Sequence, residues 1–166
     1  MAVFSLPDDA ATDAFGAALA PFLHAGDVIL LSGPVGAGKS TLSRAIIRTR
    51  LAELDRVEDI PSPTFTLVQT YDLDDLDIWH VDLYRLTEPA ELDELGLIDA
   101  FDDQICLVEW AERLGGLAPA TALCVEISVT EDDRRNLSLE WEGERWNSVV
   151  QTMIKNGARH WQIKTK

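Results

Sequence analysis

Apolar residues at Phe15, Ala18, Leu19 and Phe22 recur at the spacing of one helix face, with Asp8, Asp9 and Asp13 near the start, where a helix favours negative charge. Gly26 closes that segment. Val28 to Leu31 is wholly apolar, the pattern of a strand buried on both faces. A glycine-rich stretch follows at once. Thr41 to about Leu54 then predicts a helix with Leu42, Ala45, Ile46 and Thr49 along one side. The prolines within Ile60 to Pro63 impose a loop. Phe65 to Tyr71 and Ile78 to Tyr84 predict a hairpin around the acidic turn Asp72 to Asp77. Pro89 to Leu95 predicts a short helix broken by Gly96, and Ile105 to Glu109 another buried strand. Ala122 to Val129 and Asn136 to Trp141 predict a last hairpin around Glu131-Asp132-Asp133, and Glu144 to about Asn156 a closing helix. This order predicts an α/β fold of three layers, α/β/α. The central sheet is mixed, because two hairpins put antiparallel strands into it.

The glycine-rich stretch Gly33-Pro34-Val35-Gly36-Ala37-Gly38-Lys39-Ser40 matches G-x-x-x-x-G-K-[ST]. Its glycines let the backbone curl so that several N–H groups converge on phosphate oxygens. The helix that begins there adds its positive end. Lys39 would reach the β- and γ-phosphates, and Ser40 offers a hydroxyl to magnesium. The strand before and the helix after make this context stronger than the pattern, and the expected fold is of the P-loop NTPase kind.

Such a site needs a carboxylate at the end of a neighbouring strand. Glu109 closes Ile105 to Val108, and Asp82 closes Ile78 to Val81. Both would sit at the carboxyl edge of the sheet, where ligands collect. A solvated strand end is the bland alternative for either. His80 reads as a core histidine, on the face opposite to that of Asp82's immediate neighbours, rather than as a catalytic group. Ser62-Pro63-Thr64-Phe65 lies where P-loop proteins often keep a segment that senses the γ-phosphate, or is an ordinary proline turn. None of Asn136, Asn147 or Asn156 begins an Asn-Lys-x-Asp guanine-reading segment, so adenine is favoured and ATP is the expected nucleotide.

Charge changes the picture in one respect. The chain has 166 residues and a net charge of −15, against a nucleic-acid surface covering the whole domain. From Glu144 onward five basic residues face one acid, a net +4, so residues 1–143 carry −19. The expected division is a P-loop ATPase domain over 1–143 and a basic C-terminal helix and tail over 144–166, which reads as a solvated end or as an accessory contact to tRNA or an acidic partner. No apolar run approaches the ~20 residues of a membrane span, and Met1 to Asp13 has no basic region before an apolar one. Cys106 and Cys124 lie in apolar runs and read as buried, reduced thiols, so the expected compartment is the cytoplasm.

The runs Gly-Pro-Val-Gly-Ala-Gly-Lys-Ser-Thr (33–41), Ser-Pro-Thr-Phe-Thr-Leu-Val (62–68), His-Val-Asp-Leu-Tyr-Arg-Leu (80–86), Glu-Leu-Gly-Leu (94–97) and Leu-Val-Glu-Trp-Ala-Glu (107–112) together resemble the TsaE (YjeE) family, in the right order from roughly Leu6 to Trp141. The resemblance implies an ATPase needed in bacteria for threonylcarbamoyladenosine beside the tRNA anticodon. It implies binding to the TsaD–TsaB complex, which performs the transfer and whose turnover ATP hydrolysis supports. tRNA would be met only indirectly or through the basic tail. By motif, Gly36, Ala37, Gly38, Lys39, Ser40 and Thr41 would take the phosphates. Ser40 and Glu109 would hold magnesium, Asp82 would stand near the γ-phosphate, and Thr64 would match the Thr of the Ser-Pro-Thr segment. The segment near Asp9, and the late hairpin near Asp133 and Arg134, would touch the nucleotide. Pro34 stands where the family usually has Asp, and Ala111 where it often has Pro. A small-molecule kinase and a nucleotide-gated binding module are the competing classes. Only Arg134 and Arg135 cluster, on a hairpin expected to be distant, and Arg85 is expected to point away from Asp82. The isolated site is therefore expected to lack an arginine finger and to hydrolyse ATP slowly until its partner docks.

Overall fold

The computed structural model describes residues 1–163. In chain order the elements are β1 (Ala2–Leu6), α1 (Asp9–Leu19), β2 (Val28–Ser32), α2 (Lys39–Ala52), β3 (Val68–Asp72), β4 (Asp77–Asp82), α3 (Ala90–Glu94), α4 (Leu97–Asp103), β5 (Ile105–Glu109), β6 (Leu123–Val129), β7 (Arg135–Glu140), α5 (Glu144–Lys155) and β8 (Gln162–Ile163). The strands form one eight-stranded sheet in the order β3-β4-β5-β2-β6-β7-β1-β8. The four central strands, β4, β5, β2 and β6, run parallel, and β3 on one side and β7, β1 and β8 on the other are antiparallel.

Alternation along the central strands feeds two cores. Ile29, Leu31 and Leu107 face Phe15 and Leu19 of α1, Leu42 and Ile46 of α2, and Trp146 of α5. Val28, Leu30 and Val108 face Leu92 of α3, and Leu97 and Phe101 of α4. Both faces of the strands are thus covered, which is why they read as continuous apolar runs. This is the expected three-layer α/β fold with a mixed sheet. The Asp8 carboxylate caps α1 by accepting from the Ala11 N–H at 2.7 Å. Gly16 lets α1 lie against α2: a Cβ there would come within 2.8 Å of the Ala45 Cβ and 2.9 Å of the Leu42 carbonyl oxygen. That close approach brings the start of α1 beside the start of α2.

Residues 144–163 pack onto the rest of the fold. Trp146, Val149, Val150 and Met153 bury one face of α5 in the larger core, and the Trp146 indole N–H donates to the Thr121 carbonyl at 2.8 Å. Arg145 anchors the same helix to Asp27, its Nε 3.3 Å from Oδ1. β8 pairs with β1, so the segment completes the sheet. Lys164 and Lys166, which contribute to the expected basic tail, lie outside the described residues. Two strands and one α-helix went unread: β1, whose Ala2, Phe4 and Leu6 are buried in alternation, the two-residue β8, and α4. Cys106 is buried, and burial pushes its thiol up to about 12, whereas Cys124 is exposed, on the outward face of β6. Among the described residues no helix is long and apolar enough to cross a membrane.

Candidate functional site

β2 ends at Ser32 and α2 begins at Lys39, so the glycine-rich loop closes the gap between the carboxyl end of a central strand and a helix N-terminus. Two glycines fix its path. Gly33 has φ +133°, and a Cβ there would lie 2.2 Å from the Ile127 carbonyl oxygen of β6. Gly38 caps α2 with φ 110°, a conformation that favours glycine. Over the loop lies a cavity of about 380 Å³. Gly36 to Thr41 form one wall, Thr64, Asp82, Glu109 and Trp110 stand on one side, and Asp9 and Arg135 on the other.

Parallel register sets the acids. Asp82 of β4 pairs with Glu109 of β5, so both reach the carboxyl edge of the sheet side by side. They are 3% and 2% exposed, so the solvated-strand-end alternative fails for both. Buried carboxylates persist only where hydrogen bonds compensate them, and each oxygen here has a partner. Thr64 Oγ1 donates to Asp82 Oδ2 at 2.9 Å, and the Tyr84 N–H donates to Oδ1 at 2.9 Å. Ser40 Oγ donates to Glu109 Oε2 at 2.8 Å, and His80 Nε2 lies 2.7 Å from Oε1. Ser62 and Thr64 hydroxyls stand 2.8 Å apart, so the proline-rich segment is tied to the sheet through Asp82. Phe65, next in that segment, is 84% exposed.

Lys39 is folded onto its own loop. Its Nζ donates to the carbonyls of Gly33 and Pro34 at 2.6 and 2.9 Å and lies 4.0 Å from the Trp110 ring centre. Burial pulls its ammonium below the ordinary value, against the attraction of Glu109, Glu112 and Asp82. Trp110 reaches this place because it turns with φ 60°, and Tyr84 stacks beside it with ring centres 4.9 Å apart.

The cavity therefore gathers Gly36, Ala37, Gly38, Lys39, Ser40, Thr41, Thr64, Asp82, Glu109 and Asp9. It does not gather Arg134, whose Nε donates to Ser5 Oγ at 3.1 Å. The arginine at the cavity is its neighbour Arg135, ion-paired to Asp9 at 3.2 Å. The late hairpin is thus not distant from the site: β7 pairs with β1, and β1 leads directly into Asp9. Arg85 is exposed and sits over the Phe65 ring at 5.4 Å. Sequence reading also missed the His80–Glu109 contact, and the places of Trp110 and Tyr84 in the cavity wall. The only signal for these was their position next to the acids.

Comparison with known proteins agrees with this architecture. A family model described as Threonylcarbamoyl adenosine biosynthesis protein TsaE matches residues 6–137. The tRNA threonylcarbamoyladenosine biosynthesis protein TsaE of Haemophilus influenzae is 38% identical over 140 residues, spanning 81% of this chain and 85% of its own. The protein of the same name from Bacillus subtilis is 32% identical over 146 residues, spanning 87% and 89%. The crystal structure of YdiB from Bacillus subtilis is similar with a TM-score of 0.74 and 26% identity, over 94% of this chain and 97% of that one. With most of its length matched in this way, the chain belongs to the TsaE family of threonylcarbamoyl adenosine biosynthesis.

Proposed function

We propose that this chain binds ATP with magnesium in the cavity over the glycine-rich loop, hydrolyses it, and thereby supports turnover of a TsaD–TsaB complex that modifies tRNA in the cytoplasm. The observation that carries the reading is the Ser40–Glu109 hydrogen bond at the loop's helix end. By giving its hydrogen to Glu109, the Ser40 hydroxyl keeps its oxygen lone pairs for a cation. Magnesium takes one or two protein ligands and fills its octahedron with phosphate oxygens and water. Magnesium, when bound, would neutralise charge on the phosphates.

The chain's own groups then have distinct tasks. Loop N–H groups and the α2 N-terminus receive the phosphates. Lys39 exchanges the Gly33 and Pro34 carbonyls for phosphate oxygens. Asp82, tied to Thr64, orients the attacking water or the metal shell and couples the 62–65 segment to the site. Asp9 and Arg135 face the cavity from the β7 side and would contact the rest of the nucleotide.

The sheet order supports partner dependence. Glu109 and Asp82 lie on β5 and β4, to one side of β2, whereas Arg135 lies on β7, two strands away on the other. Among the described residues no arginine lines the cavity on the side of Asp82 and Glu109. Positive charge on the γ-phosphate beyond Lys39 and magnesium would come from a docked partner, and an arginine supplied in trans accelerates hydrolysis by roughly 10³–10⁵-fold. The test is phosphate release by the chain alone and with TsaD–TsaB added. Slow release that rises on adding the complex is expected. Fast turnover alone, with no increase, refutes the mechanism and favours a kinase-type site.

A further inference from the structure

We propose that His80 is a positioning residue that holds Glu109 so that a single carboxylate oxygen faces Ser40 and its cation. The inference rests on the magnesium–nucleotide reading above and adds a residue to it. His80 is 0% exposed, and its Nε2 lies 2.7 Å from Glu109 Oε1. A carboxylate only accepts, so the shared hydrogen sits on Nε2 whatever the state of the other ring nitrogen. Glu109 thus receives His80 at Oε1 and Ser40 at Oε2, and its plane is fixed from both ends.

The cost of this arrangement argues that it is not mere packing. His80 Nδ1 is buried with no hydrogen-bond partner among the described residues. An orphaned ring nitrogen is unfavourable, and an apolar side chain would fill a core position without it. What the histidine supplies that leucine would not is the donor aimed at Glu109. Its reach follows from register. His80 and Asp82 share one face of β4, two residues apart, and His80 pairs with Leu107 while Asp82 pairs with Glu109. The imidazole therefore lies one step below the acid pair, on the face of the sheet that Ile78 and Leu107 share with α1 and α2, and it does not line the cavity. Partners of this kind, one bond removed from a metal, orient the ligand and are worth roughly 10- to 100-fold in metal affinity.

The experiment compares wild type, His80→Leu and His80→Gln. ATP affinity is measured by calorimetry with EDTA and again with magnesium, and the gain from magnesium is the quantity read. His80→Leu keeps the volume and loses the donor, so its gain should fall by roughly 10- to 100-fold. Gln places an amide N–H at the level of Nε2, so His80→Gln should restore most of it. Should the leucine variant fail to fold, His80→Asn replaces it, because that amide ends at the level of Nδ1 and falls short of Glu109. A full gain in the variant lacking the donor overturns the proposal, as does an equal loss in His80→Gln. A wild-type protein that binds no ATP, or gains nothing from magnesium, overturns the nucleotide reading itself and this inference with it.

Discussion

Replacing Lys39 by alanine puts the proposed nucleotide site under its most direct test. The ammonium already has two carbonyl partners, at 2.6 and 2.9 Å, and the face of Trp110 at 4.0 Å. A triphosphate must offer more than these for the lysine to move. Charge-assisted hydrogen bonds contribute about 1.5–3 kcal/mol each, so two phosphate contacts come to about 3–6 kcal/mol gross. Surrender of the carbonyl bonds and of a cation–π contact worth about 0.5–2 kcal/mol offsets much of that. A net loss of about 1.4–3 kcal/mol remains for Lys39→Ala, roughly ten- to hundredfold in the Kd for ATP. The sign of the pH dependence follows from burial, which sets the lysine's pKa in the free protein below 10.5. A bound polyanion raises it, so binding takes up a proton, and affinity falls as pH climbs past the lowered value of the free protein. The variant should lack that fall. Calorimetry with magnesium across the alkaline range measures both effects. Unchanged ATP affinity in Lys39→Ala would refute the assignment.

The two acids should separate in a paired assay: Glu109→Ala weakens magnesium-dependent ATP binding, whereas Asp82→Asn slows phosphate release more than it weakens binding. Normal magnesium–ATP binding by the first and normal hydrolysis by the second would show both roles to be misassigned. Trp146→Ala removes a fully buried indole and its hydrogen bond to Thr121, and should cost about 3–5 kcal/mol in chemical denaturation. Wild-type stability in that variant would mean that α5 is not part of the core.

Elements whose signal is local were legible. Ile105–Glu109 is a strand to the residue, because an apolar run ends sharply in an acid. The first hairpin begins at Val68, later than its apolar content suggests, because Phe65 and Leu67 belong to the proline-rich segment and Leu67 has φ 64°. What failed depends on distant pairing. β1 carries a readable alternation in five residues, but its partners lie at Arg135–Leu139. Arg134 and Arg135 are chemically equal neighbours, the first lying just before β7 and the second opening it. The register Arg135↔Val129 and Leu6↔Arg135 decides which one meets Asp9, and nothing local encodes it. His80 meets Glu109 for the same reason, through the parallel register of β4 and β5. In α5 the basic residues drew attention away from Trp146, Val149, Val150 and Met153, whose helical spacing marked a buried face.

The buried charges explain how the site stays open. Lys39, Asp82 and Glu109 are all at most 5% exposed, and an ion pair among them would be the simplest compensation. Among the described residues, however, Lys39 forms no ion pair with either acid. It is satisfied by main-chain carbonyls, Asp82 by a hydroxyl and an N–H, and Glu109 by a hydroxyl and a ring N–H. Each of the three is thus held by groups other than the remaining two, and Trp110 lies against the lysine. Direct pairing would draw the three together and close the cavity between the loop and the strand ends. These separate partners instead keep the lysine apart from the two acids, at the expense of the attraction between them. A fold that only needed stability would use apolar residues here, since replacing buried ion groups by well-packed hydrophobic ones is often neutral or stabilising. The arrangement makes physical sense as a site in which an incoming anion and its cation supply the missing charges: the anion takes Lys39, and the cation takes the oxygen lone pairs that Ser40 frees by donating to Glu109.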